Sequence, residues 1–296
     1  MNLSSLALLG ALSFSLSTAA LATPAPESNQ TISSEPRIIS AGSAVTELIF
    51  ALEAESQLVA VDLTSKGFVM GTDIPQVGYH RQLSAEGLMA LAPTVLVGSN
   101  EMGPEKTLNT LSEAGIDVET VTSGLGLEDL HLRIDQVAAL TGTAEKAETL
   151  KADVAAQMEK LSATELKNPP KVVFMLLAEG RPMTVAGNKT PVDTVIELAG
   201  AVNPAQDAFE SYKPMSVEAL IELQPDYILV ASRSWRSMGG AEGILAKMPL
   251  LVATPAGEKN QFIPIPGPAI VGGFGLGSLK LAETLQQTFS SDSVTQ

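Results

Sequence analysis

Residues 78–94 read GYHRQLSAEGLMALAPT, and residues 215–232 read MSVEALIELQPDYILVAS. In the first stretch Ser84 is a residue type that caps helices, and Glu86 stands in the first turn, where a carboxylate suits the positive end of the helix dipole. Leu88, Leu91 and Ala92 fall on one face before Pro93 stops the helix. The pattern returns 132 positions later, from Ser84 to Ser216: Glu218, Leu220, Leu223 and Pro225 stand for Glu86, Leu88, Leu91 and Pro93. Solenoid repeats recur every ~20–50 residues, so this wider spacing predicts two similar lobes, each with a loop, an acid-started helix and an apolar strand. Two lobes make a cleft. The strands expected at 94–98 and 226–231 are short apolar runs of the kind buried in parallel sheets, and ligands of open α/β sheets sit beyond such strand ends.

Outward from these stretches, strand-like runs at 37–41, 57–62 and 117–121 alternate with helical patterns at 43–52 and 105–114. In the second half, strands are expected at 171–177 and 261–265, helices at 191–199, 241–247 and from about 278 to 287, and a loop at 232–240. The fold class predicted is α/β, two similar lobes with mostly parallel sheets joined by a long rigid helix, the ligand cleft between them. That helix is expected at 143–166, where Ala147, Leu150, Val154, Met158 and Leu161 form one stripe and Pro169 and Pro170 end it. The layout is a signal peptide at 1–22, a disordered tether at 23–36, an N-terminal lobe at 37–142, an interlobe helix at 143–168, a C-terminal lobe at 169–290 and a tail at 291–296.

Residues 1–22 carry no charged side chain, are apolar from Leu6 to Leu16 and end in Ala20-Leu21-Ala22, the small-x-small pattern that signal peptidase reads. They predict export to a periplasm with cleavage of the leader. The following stretch, TPAPESNQTISSE, is too polar to support a core. With no cysteine the chain has neither a disulfide nor a site for a lipid anchor, and a formal charge of −15 disfavours nucleic acid and anionic membranes. A few local arginines can still attract an anionic small ligand.

No enzyme motif is present. There is no G-x-S-x-G elbow or Walker loop, GGFGLG at 272–277 misses the G-x-G-x-x-G spacing, and two histidines are few for a metal cluster. Tyr79 and Arg81 are the notable pair. Tyrosine is most often a half-buried packing residue and arginine a surface charge. Yet a phenolate is a hard donor suited to ferric iron, haem iron included, and because a phenol ordinarily titrates near 10 it needs a neighbouring cation such as Arg81. Tyr212 precedes the second helix in nearly the place Tyr79 holds before the first, while Arg233 and Arg236 lie just beyond the second-lobe strand.

The run GYHRQLSAEGLMALAPT, together with YKPMSVEALIELQPDYILV, resembles the periplasmic haem-binding proteins of bacterial haem-uptake ABC transporters. These belong to the helical-backbone class of substrate-binding proteins that also serves siderophores and cobalamin. The resemblance covers most of the mature chain and implies a haem carrier, not an enzyme, a monomer that takes haem from an outer-membrane receptor system and delivers it to a permease dimer. It implies that Tyr79 is the axial ligand of haem iron, supported by Arg81 and assisted from the second lobe by Arg236 or Arg233, with Tyr212 beside the ligand. It further implies that Glu86 and Glu218 dock onto arginines of the permease; read from the helices alone, both acids only cap dipoles. The alternative ligands are a ferric siderophore or cobalamin.

Overall fold

The computed structural model describes residues 35–294, so the expected leader and most of the tether lie outside the described residues. The chain from Glu35 onward forms one compact unit. In order, its first half is β1 (Ile38–Ala41), α1 (Ser43–Ala51), β2 (Leu58–Val61), α2 (Ala85–Met89), β3 (Val95–Ser99), α3 (Glu105–Glu113), β4 (Asp117–Val121), α4 (Leu127–Thr141) and α5 (Ala144–Ser162). Its second half is β5 (Val172–Leu176), β6 (Thr184–Ala186), α6 (Pro191–Leu198), β7 (Tyr212–Pro214), α7 (Val217–Glu222), β8 (Tyr227–Ala231), α8 (Ser232–Met238), α9 (Gly240–Lys247), α10 (Pro255–Glu258), β9 (Phe262–Ile265) and α11 (Leu276–Val294).

Two sheets result. The first has the order β2-β1-β3-β4 and is wholly parallel. The second has the order β7-β6-β5-β8-β9, with β5, β8 and β9 parallel and the β6 and β7 pairings antiparallel. Side chains alternate across the first sheet as a strand's period of two requires. Ile38, Val95 and Val97 face the core shared with α1, α4 and α5, whereas Ile39, Ala41 and Leu96 face Leu88 of α2 and Leu111 of α3. The first of these cores continues without a break into the second lobe through Val172 and Phe174 of β5, Val195 and Ile196 of α6, and Leu279, Leu285 and Phe289 of α11. The lobes therefore share one helical layer. Such a continuous apolar core resists independent movement of the sheets, because close packing tolerates only discrete rearrangement.

The repeat survives in detail. Ser84 Oγ accepts from Gly87 N at 3.5 Å, and Ser216 Oγ accepts from Ala219 N at 3.2 Å. Both helices end in a residue with positive φ before the proline, Ala92 at 46° and Gln224 at 47°. β3 and β8 begin at Val95 and Tyr227, the same 132 residues apart as Ser84 and Ser216.

Four expectations need correction. The joining helix closes at Ser162 and not at Leu166, whose side chain leaves the helix to cover Gly200, where an added Cβ would lie 3.2 Å from Leu166 Cγ. Residues 232–238 form helix α8 where a loop is expected. The helix ends on left-handed Gly239, and Ser234 Oγ donates to Leu177 O at 2.6 Å, which fixes it against the end of β5. The final helix continues past 287 to Val294, because Leu285 and Phe289 extend its buried face. Lys213 and Pro214, expected in a loop, lie in β7, at the sheet edge where proline's missing donor is harmless.

Two charged side chains, buried Arg133 and half-buried Glu47, fasten the C-terminal segment to the first lobe. Arg133 of α4 is fully buried, and its guanidinium donates to the carbonyls of Thr122, Gly124 (3.3 Å) and Phe274 (3.0 Å). Burial pushes it down to about 10, against the opposing charges of Asp129 and Glu47. Glu47 of α1 accepts from the backbone N–H groups of Gly277 and Leu276 at the start of α11. Its burial raises the carboxyl above the ordinary glutamate value, opposed by those bonds and by Arg133 and Lys280. Gly273, at φ +101°, leaves room for the arginine, since an added Cβ would stand 2.4 Å from its Nη2.

Candidate functional site

The site begins at the C-terminal ends of the parallel strands. Asp62, which follows β2, is fully buried and gathers three segments. Its Oδ1 accepts from Gly42 N beyond β1 at 3.1 Å and from Ser65 Oγ at 2.8 Å. Its Oδ2 accepts from Thr64 N at 3.1 Å and faces His80 Nδ1 at 3.0 Å. Burial opposes this charge, but the bonds from His80, Ser65 and Thr64 outweigh it and hold the carboxyl below the usual aspartate value.

His80 is only 1% exposed. Its Nε2 lies 3.6 Å from Oε2 of Glu101, which follows β3. Burial disfavours the imidazolium, yet the bonds and charges of Asp62 and Glu101 push it up to about 9, so His80 is a cation at neutral pH. Its ring supports that of Tyr79, with centroids 4.4 Å apart and planes inclined by 58°. Tyr79 itself is 39% exposed.

The loop carrying these residues is strapped on both sides. Leu63 N donates to Gly78 O at 2.7 Å, Gly103 N to His80 O at 2.9 Å and Leu83 N to Gly103 O at 2.8 Å. Arg81, 52% exposed, donates from Nη2 to Oε1 of Glu101. The Glu101 carboxyl is held below the ordinary glutamate value, first by its bond to His80, against burial, and then by Arg81.

In the second lobe, Tyr212 of β7 meets the ring of Phe174 edge to face at 6.3 Å. Burial and then the negative charge of Glu101 push its phenol up to about 12, opposed by a hydrogen bond with Thr190. Tyr212 is thus a neutral phenol. By the offset of the repeat Tyr212 matches His80, while Ser211 matches Tyr79. Leu63 and Leu176, at the C-terminal ends of β2 and β5, are large apolar side chains left exposed.

Arg233 and Arg236 lie exposed on α8, beyond the end of β8, and make no hydrogen bond or ion pair with these groups among the described residues. Glu86 and Glu218 are exposed in the first turns of α2 and α7 and have no ion-pair partner among the described residues. His131 is half-buried between helices, its Nε2 3.1 Å from Lys151 O. The sequence reading missed Asp62 and Glu101. Their position just after strands β2 and β3 was the available signal, since strand ends face the ligand in this fold class. Among the described residues no group of three or more His, Cys, Asp and Glu could hold a metal ion, and no helix is long and apolar enough to cross a membrane.

The periplasmic heme-binding protein HutB of Vibrio cholerae is 49% identical, with a TM-score of 0.80 over 86% of this chain and 99% of that one. The periplasmic heme-binding protein RhuT of Roseiflexus sp. RS-1, in its apo form, is 34% identical, with a TM-score of 0.81 over 87% of this chain and 98% of that one. A vitamin B12-binding protein of Vibrio campbellii is 28% identical over 204 residues, 69% of this chain and 73% of that protein. The periplasmic binding protein family model matches residues 38–269, and with both lobes, the shared helical layer and the strand-end site in place, the chain belongs to that family.

Proposed function

We propose that this protein is a periplasmic carrier that binds haem between its lobes, with Tyr79 as the ligand of ferric iron, and passes it to an ABC importer without chemistry of its own. The observation that carries this reading is the placement of Tyr79: an accessible phenol on a strapped loop at the strand ends, resting on a buried imidazolium. A phenol oxygen is a hard donor of the kind that suits ferric iron. The exposed side chains of Leu63 and Leu176 offer apolar surface for a macrocycle, while Arg233 and Arg236 are exposed cations available to carboxylates. Similarity to HutB and RhuT supports haem as the cargo.

In this reading the signal peptide at 1–22 exports the chain to the periplasm, the N-terminal lobe, interlobe helix and C-terminal lobe form a monomeric carrier, and haem arrives from an outer-membrane receptor system. Glu86 and Glu218, exposed at equivalent helix starts, meet the two subunits of a permease dimer.

Similarity to the vitamin B12-binding protein favours cobalamin as the second reading. Titrating the purified mature protein with hemin and, separately, with cyanocobalamin decides between them. The account predicts a high-spin ferric tyrosinate spectrum with hemin; binding of cobalamin with no spectral response to hemin would reverse the assignment.

A further inference from the structure

The arginine two residues beyond the proposed iron ligand is already engaged. Arg81 donates to Oε1 of Glu101, and the other carboxylate oxygen lies 3.6 Å from His80 Nε2. Glu101 is anchored through its backbone, whose N–H donates to Ser99 Oγ at 3.3 Å, and its loop is bonded to the Tyr79 loop through Gly103. Its side chain remains 33% exposed. A partly exposed carboxylate therefore stands between two cations beside Tyr79, in the place that an entering anion would seek.

Haem is such an anion, with two propionate carboxylates, and its iron turns Tyr79 into a second negative centre. We propose that Glu101 is a placeholder: it holds Arg81 while the cleft is empty and yields it when haem enters, so that it limits affinity from the protein's side. This inference rests on the haem reading. The placeholder has two consequences. It keeps Arg81 extended over the site rather than free in solvent, since a long charged side chain without a partner samples many rotamers. It also competes with the propionates for Arg81 once haem is bound, and a rival for the same partner weakens a complex mainly by hastening its dissociation. A carrier that must surrender its cargo to a transporter gains from a built-in group that competes for the same arginine.

The test is a set of hemin titrations and dissociation rates, at one pH and ionic strength, for the mature wild type, Glu101→Gln, Arg81→Ala and the double variant. Glu101→Gln is expected to bind hemin about tenfold more tightly, mostly through slower release, with the tyrosinate band unmoved. In the Arg81→Ala background the same change is expected to have an effect of under about twofold, because the placeholder acts through the arginine. Glu101→Ala serves as a second variant without an amide to re-bond Arg81, and is expected to bind at least as tightly as wild type. Circular dichroism of the haem-free variants verifies folding. Unchanged or weaker binding by both folded Glu101 variants overturns the placeholder role, as does a full tenfold gain without Arg81, which would mean simple charge repulsion. If the wild type itself gives no tyrosinate spectrum, the haem reading fails first and this inference with it.

Discussion

The Nδ1 atom of His80 lies 3.0 Å from Oδ2 of Asp62, both side chains sealed from solvent beneath Tyr79. This pair ties the candidate ligand loop to the end of β2. It also links the fold to pH, because His80 is pushed up to about 9 while Asp62 is held below its ordinary value.

A histidine raised in the folded state stabilises the fold fully below its unfolded value of about 6.5, and that contribution is lost as pH rises through about 9. Asp62 and Glu101, both lowered, act oppositely: their contribution is present above their unfolded values and is lost on acidification. Urea unfolding of the haem-free protein should therefore show less stability at pH 10 than at pH 6, by on the order of 3 kcal/mol. His80→Gln should flatten this alkaline limb. An equally steep decline in that variant would assign the effect elsewhere.

Arg133→Ala should cost far more than a surface arginine change. It leaves the carbonyls of Thr122, Gly124 and Phe274 without their shared donor in a dry setting. The expected loss is roughly 3–5 kcal/mol in urea unfolding. Glu47→Gln keeps an acceptor for the start of α11 and should lose only about 1 kcal/mol. A small effect of Arg133→Ala would show that the C-terminal segment is held by its apolar contacts alone.

Glu86 and Glu218 give a third expectation. Reversing both to lysine should leave hemin affinity and the fold nearly intact, apart from about 0.3–1 kcal/mol per helix for a cation at an N-terminal turn. Haem uptake and stimulation of the transporter's ATPase should be abolished, and docking of the wild type should weaken as salt rises. Glu→Gln at both sites controls for the dipole. Normal transport by the lysine variant would reduce these acids to helix caps.

The features legible in the sequence were those governed by local rules. Ser84, Glu86 and Pro93 bracket a helix by capping, dipole and ring geometry, and their recurrence at Ser216, Glu218 and Pro225 revealed the two-lobed plan before any contact was known. The strands β3 and β8 followed from their apolar runs. What the sequence hid depends on distant partners. Asp62 and Glu101 reach His80 from 18 and 21 residues away, through loops whose approach no periodicity records. His80 sits between two exposed neighbours, Tyr79 and Arg81, and nothing in its local sequence signals its burial. Helix α8 was disguised by its polar residues, although Gly239 marked its end, and β6, three residues long, is too short to show an alternation. Arg133 carries no local sign of burial, because its partners come from loops 11 residues before and 141 residues after it.

The central claim is that Tyr79 is the haem ligand. The most direct measurement is the absorption and resonance Raman spectrum of hemin-loaded Tyr79→Phe beside wild type, with Tyr212→Phe as the companion variant. The phenyl ring can still rest on His80, so the change removes one oxygen and little packing. The account predicts that Tyr79→Phe loses the phenolate-to-iron charge-transfer band and most of its affinity, while Tyr212→Phe keeps the band. A wild-type spectrum from Tyr79→Phe would contradict the account.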